Sequence, residues 1–135
     1  MPDDNTSRIM RSYLDALVAR ADIAGYFADD ATLEIVGTPQ AAHGPQAIQG
    51  LITWLHTQAF DAVPKLKTVI TDDGRAALEA DFVGTHTGEF LGMAPTGKSV
   101  NVPYCVVYDL TPNKITALRI YMPMELFAQQ LGGDA

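Results

Sequence analysis

Two rhythms of apolar and polar positions divide this chain, a helical one up to about residue 60 and a strand-like one beyond Pro64. In the first part Ile9, Met10, Tyr13, Leu14, Leu17 and Val18 recur three and four apart. That spacing makes one buried face on a helix that Thr6 or Ser7 can cap and that runs to about Arg20. Asp22 can cap a short second helix carrying Ile23, Tyr26 and Phe27. After a turn at Ala28-Asp29-Asp30, residues 32–36 read as a short strand and residues 37–44, with Gly37, Pro39 and Gly44, as a loop. Pro45 suits the first position of a third helix, which runs to about Phe60 with Ile48, Leu51, Ile52 and Leu55 inward.

The second part is rich in Val, Ile, Thr and Tyr and predicts four strands, over residues 65–71, 76–88, 99–110 and 115–122. Asp73-Gly74, Pro95-Thr96-Gly97 and Thr111-Pro112-Asn113 punctuate them as turns. Pro123 opens a short tail helix that ends at Gly132-Gly133. Helices first and antiparallel strands second predict an α+β fold, a cone in which three N-terminal helices pack on the concave face of a curved antiparallel sheet. Three short helices cannot fill such a face, and the space left over predicts one apolar pocket.

With 135 residues, 47% of them hydrophobic and 19% charged, the expectation is a single globular domain over residues 1–135. The net charge of −7 and the scatter of the nine Lys and Arg argue against a nucleic-acid partner and an anionic membrane surface. Residues 1–5 lack the basic and apolar regions of a signal peptide, and no apolar run reaches the ~20 residues that span a bilayer. Cys105 is the only cysteine, so no intrachain disulfide forms and a reducing, cytoplasmic location is expected.

Particular segments carry a resemblance. Phe27-Ala28-Asp29-Asp30-Ala31-Thr32 resembles the helix-to-strand junction of the nuclear-transport-factor-2-like superfamily. Gly84-Thr85-His86-Thr87-Gly88 followed by Pro95-Thr96-Gly97-Lys98 resembles the SnoaL-like polyketide cyclase and ketosteroid-isomerase-like group within it. The run from Ile115-Thr116 to Tyr121, then Gln129-Gln130-Leu131-Gly132, is similar to that group's last strand and tail. The resemblance spans about residues 7–132 and implies a fold that hosts isomerases, cyclases, dehydratases, epoxide hydrolases and binders without activity.

Strand alternation gives the expected lining of the pocket. If residues 89–98 close one hairpin and 111–114 the next, Phe82 lies opposite Cys105 and Cys105 opposite Ile120. Ala80, Phe82, Gly84, His86, Pro103, Cys105, Val107, Leu118, Ile120 and Met122 then face inward. Glu79, Asp81, Tyr104, Tyr108, Arg119 and Tyr121 face outward, where a Tyr- and Arg-rich surface suggests a homodimer contact. A slip of one residue in either hairpin would exchange the faces.

By the resemblance, the tyrosine that ketosteroid isomerases use to hold an enolate oxygen falls on Tyr13, its protonated acid on Cys105 and the proton-shuttling carboxylate on Ile35. The Arg and two Asp of limonene epoxide hydrolases fall on Ala80, Phe82 and Ile120. The acidic residue of SnoaL-like cyclases is missing from Ile120-Tyr121-Met122-Pro123. All three of these catalytic patterns are absent.

What remains is His86, the one residue of the expected lining whose ordinary pKa suits proton transfer near neutrality, and Tyr13 as donor to a carbonyl. Each has a plain alternative, His86 as a hydrogen-bonded residue at the mouth of the sheet and Tyr13 as helix core. Cys105 reads as packing, Trp54 as pocket wall or helix contact, and His43 and His56 as surface residues. No His, Asp and Glu cluster has metal-ligand spacing, and Pro95-Thr96-Gly97-Lys98 lacks the glycines of a phosphate loop. Two readings stay open. One is a cofactor-free enzyme that cyclises, isomerises or dehydrates a hydrophobic, oxygenated small molecule, with His86 and Tyr13 catalytic and Ile35, Trp54, Phe82, Cys105, Leu118, Ile120 and Met122 around the substrate. The other is a carrier that has lost the family's acids.

Overall fold

The computed structural model describes residues 4–90 and 92–132, so the expected end of the tail helix at Gly133 lies outside the described residues. In chain order the elements are α1 (Asp4–Val18), a 3-10 turn (Ala24–Tyr26), β1 (Phe27–Ile35), β2 (Ala41–His43) and α2 (Pro45–Trp54). A π-helical turn (Leu55–Ala59), β3 (Phe60–Asp72), β4 (Arg75–His86), β5 (Ser99–Leu110), β6 (Ile115–Tyr121) and α3 (Met124–Gln130) follow. The fold is α+β, as the two rhythms predict.

The six strands form one curved, open sheet in the order β2-β1-β6-β5-β4-β3. β1 runs parallel to β6 and every other neighbouring pair is antiparallel, so the sheet is mixed. α1 buries Met10, Tyr13 and Leu14 on the inner face, and α2 buries Ile48 and Ile52 beside them. The expected second helix is reduced to the single 3-10 turn, because Phe27 already belongs to β1. α3 lies against β5, where the Gln130 side-chain amide donates to the Asn101 carbonyl and accepts from the Asn101 N–H. Thr6 is no cap. It sits inside α1, buried, and its hydroxyl accepts from the Gly74 N–H at the β3–β4 turn.

Two apolar cores occupy the inner face. The larger joins α1, α2, β1, β4, β5 and β6 around Tyr13, Leu33, Ile48, Leu78 and Tyr108. The second gathers Phe60, Phe82, Phe90 and Phe127 at the far ends of β3, β4 and β5. Gly84 lets β4 press on β3 there, since a Cβ at that position would lie 2.6 Å from the Cα of Ala62.

The expected faces hold for β4 and β6 and are reversed for β5. Phe82 pairs with Val102, and Cys105 pairs with Glu79 and Tyr121. Two local features cause the reversal. The segment between β4 and β5 is irregular and closes with the His86 N–H on the Lys98 carbonyl, which shifts the pairing by three residues from a simple hairpin. On the other side the register shifts between Asp109 and Leu110, leaving Thr116 as an extra residue whose hydroxyl donates to the Asp109 carbonyl. An odd shift moves every side chain of a strand to the opposite face. Val102, Tyr104, Val106 and Tyr108 therefore point inward, and Pro103, Cys105 and Val107 outward.

Candidate functional site

Between the two cores lies a cavity walled by α1, α2, the π turn, β1, β4, β5 and β6. Counting its mouth, it holds about 490 Å³ free of atoms, of which about 40 Å³ is wide enough for the centre of a water molecule. Six of the expected residues line it: Tyr13, Ile35, Phe82, Leu118, Ile120 and Met122. Its described wall contains no Asp, Glu, Lys or Arg.

Three expected residues are elsewhere. Cys105 is on the outer face of β5, for the reason of register just given, so the position that the resemblance assigns to a catalytic acid does not reach the cavity. Trp54 turns toward Phe90, with ring centroids 6.2 Å apart, and borders a separate open depression with Gln58, Gly88 and Glu89. His86 is on the inner face as expected but belongs to the second core, stacked near Phe60 at 5.2 Å. Its Nδ1 accepts from the Thr96 N–H at 3.1 Å and lies 3.0 Å from the Thr96 hydroxyl. The proton of the neutral ring is thus on Nε2, which is buried without a partner among the described residues. His86→Gln is expected to lower the unfolding temperature by several degrees while cavity ligands still bind. Loss of ligand binding at an unchanged unfolding temperature would return His86 to the site.

The cavity is also lined by three polar residues that the sequence places elsewhere, Tyr104 and Tyr108 on the outer face and His56 at the surface. Tyr104 and Tyr108 enter with the inner face of β5. The rings of Tyr13 and Tyr108 meet edge-on at 5.9 Å. Burial raises the pKa of all three tyrosines, and the neighbouring Tyr104 raises Tyr13 and Tyr108 further. These hydroxyls stay protonated across the neutral range.

His56 is the third. It stands on the π turn, four residues beyond Ile52 and eight beyond Ile48, a spacing that places it beside the buried stripe of α2. That spacing was the available signal. The ring packs on Phe82 at 5.2 Å, and Nδ1 is 2.8 Å from the Ile52 carbonyl. Burial pushes the pKa of His56 below its ordinary 6.5, and the nearby Arg20 charge pushes the same way, against the hydrogen bond to Ile52.

Among the described residues no three of His, Cys, Asp and Glu converge as metal ligands, and no helix is long and apolar enough to cross a membrane.

Residues 7–131 match the sequence pattern of the SnoaL-like polyketide cyclase family. Solved structures share the fold at low identity. A protein of Xanthomonas campestris pv. campestris assigned to the polyketide cyclases is 14% identical, with 97% of this chain and 99% of that one covered and a TM-score of 0.85. A protein of Jannaschia sp. CCS1 assigned to the SnoaL-like polyketide cyclases is 16% identical, covering 94% and 91%, with a TM-score of 0.82. An LEH-like epoxide hydrolase of M. tuberculosis is 18% identical, covering 96% and 91%, with a TM-score of 0.73.

Proposed function

The chain belongs to the SnoaL-like polyketide cyclase family, and from that premise we propose that it is a cofactor-free acid–base enzyme working on a neutral, carbonyl-bearing apolar molecule. The substrate is polyketide- or terpenoid-like, and the outcome is cyclisation, isomerisation or dehydration by way of an enolate. One observation carries the reading, the three tyrosines gathered around a cavity whose described wall has no Asp, Glu, Lys or Arg. When a C–H bond beside a carbonyl breaks, negative charge moves onto the oxygen. Donors already aimed at that oxygen then bind it more tightly than they bind the ketone, which is the condition for lowering the barrier. A charged ligand would enter this cavity without a counter-ion, at a cost of several kcal/mol on the order given for buried unpaired charges. Selection therefore favours neutral molecules. The half-buried Leu17, Ile120 and Met122 must swing aside to admit one, since little of the cavity is wide enough even for water.

Tyr13 keeps the role that the resemblance implies, and Tyr108 and Tyr104 join it. The proposal includes a cytoplasmic location, in keeping with the lone Cys105, and a homodimer through the outer sheet face. With Tyr104 and Tyr108 turned inward, that face now rests on Val107, Arg119 and Tyr121.

The test is α-proton exchange. Incubated in D₂O with 1-tetralone, 2-tetralone and 1-indanone, the protein should deuterate the α-carbon of at least one ketone well above the buffer rate, read by proton NMR. The lack of a carboxylate in the described wall favours the carrier as the second reading, and ketones that bind without exchange would establish it.

A further inference from the structure

An acid–base enzyme needs a group that moves the proton, and the tyrosines of the cavity cannot take one up near neutrality because burial holds them protonated. Of the two imidazoles on the inner side of the sheet, His86 is buried and tied to Thr96 in the second core, whereas His56 is half-buried. His56 is different in three respects that bear on one another.

The first is its tautomer. A backbone carbonyl can only accept, so the contact of Nδ1 with the Ile52 oxygen at 2.8 Å puts the ring proton on Nδ1. Nε2 is then a bare lone pair. It is buried and has no hydrogen-bond partner among the described residues. Leaving such an acceptor unpaired costs about 1–3 kcal/mol, which a leucine at this position of the helix stripe would avoid.

The second is the backbone that carries it. The chain leaves α-helical geometry at Leu55 and makes a π turn to Ala59 before entering β3. π-helical turns are rare and recur at functional sites, and this one, at the end of α2, carries His56. This one is clamped from outside. Arg20 is the one described non-glycine residue with left-handed backbone, φ 58°. Its guanidinium donates to the His56 carbonyl at 3.3 Å, the Ala62 carbonyl at 2.7 Å and the Asp61 carboxylate at 2.8 Å. Left-handed backbone at a residue with a side chain costs about 1–3 kcal/mol and persists where the surroundings hold it.

The third is its place. His56 lines the same cavity as Tyr13, Tyr104 and Tyr108, on the helical wall while Tyr104 and Tyr108 stand on the sheet.

We infer that His56 is the proton-transfer residue of this site, with Nε2 taking the α-proton of the bound ketone and Arg20 holding the π turn that presents it. The inference rests on the enzymatic reading above. The Nε2 lone pair forms the new N–H bond as the C–H bond breaks. The electron pair of that bond becomes the carbon–carbon π bond, and the carbonyl pair moves onto oxygen beneath the tyrosine hydroxyls. The imidazolium then returns its proton to carbon, so no oxidant, reductant or metal enters the balance. Substrate class follows from the same geometry: a ketone with an acidic C–H on the helix side and its oxygen on the sheet side.

The charged and titratable groups around His56 are Arg20 after α1, its partner Asp61 on β3, and the three tyrosines. Burial dominates, so the ring stays neutral at and above its ordinary pKa. The rate should hold down to pH 6.5 and fall only as acidification charges the ring below that.

The experiment has two arms on the intact chain. NMR of protein carrying ¹⁵N-labelled histidine reads the tautomer and titration of His56 without any ligand, His56→Gln serving for assignment. Expected are a protonated Nδ1, an unprotonated Nε2 and a midpoint below 6.5. A proton on Nε2 with Nδ1 bare, or a midpoint above 6.5, overturns the inference. In the second arm α-deuteration of 2-tetralone and its companions is compared for wild type, His56→Gln and His56→Ala. Loss of ~10²–10⁴-fold in both variants supports the inference, as does partial recovery of His56→Ala with added imidazole. Exchange by the wild type that survives in folded His56→Gln overturns it while sparing the enzymatic reading. No exchange by the wild type overturns both.

Discussion

Phe60→Ala is expected to lower the unfolding free energy by about 3–5 kcal/mol, a large part of what a domain of this size has. Phe60 is fully buried at the start of β3, where the π turn becomes strand. Its ring centroid lies 5.1 Å from that of Phe82, 5.0 Å from Phe90 and 5.6 Å from Phe127, so it holds four elements or segments of the chain in one cluster. Removing it takes away both the transfer free energy and the edge-to-face contacts, and neighbours held by a curved sheet can close the gap only in part. Ile70→Ala, at a position 64% exposed on the same strand, should change stability by under about 1 kcal/mol. Urea titrations of both variants decide the point. A Phe60→Ala loss no larger than that of Ile70→Ala would mean that the second core contributes little.

The elements were legible because each depends on local spacing. The α1 face, Pro45 at the head of α2 and the whole of β5 lie where periodicity places them. What the sequence concealed depends on distant pairing. Whether Tyr108 or Cys105 faces the cavity turns on one extra residue, Thr116, and on an irregular connection after His86, and neither has a signature in the pattern of Val and Tyr. Phe60 and Ala62 alternate as a strand should, yet they follow a helical run without a break and so read as its continuation. His56 escaped for another reason. Its spacing from Ile48 and Ile52 was a signal, but a polar residue on the flank of an apolar helix stripe is ordinarily solvated, and only the fold shows the ring half-buried with Nδ1 on the Ile52 carbonyl. The candidate site was thus half visible: the aliphatic wall and Tyr13 from the sequence, the polar groups on β5 and after α2 only from the fold.

Tyr13→Phe and Tyr108→Phe should each slow α-proton exchange by about 10²–10³-fold, the scale of losing one donor to a developing oxyanion. The pair also allows a sharper test, because the two rings pack edge-on at 5.9 Å and phenyl rings keep that packing. Each single variant should therefore lose no more than about 1.5 kcal/mol of stability, and the double variant no more than about the sum. Exchange should fall further in the double variant than in either single one, since no hydroxyl of the pair remains to meet the enolate oxygen. A structural role predicts that the rate falls only as far as stability does, whereas an oxyanion-holding role predicts a large loss of rate at nearly unchanged stability. Urea titrations and deuteration rates on the four proteins give both quantities. A double variant that exchanges at the wild-type rate would reduce Tyr13 and Tyr108 to core residues and leave only Tyr104 to hold the oxygen.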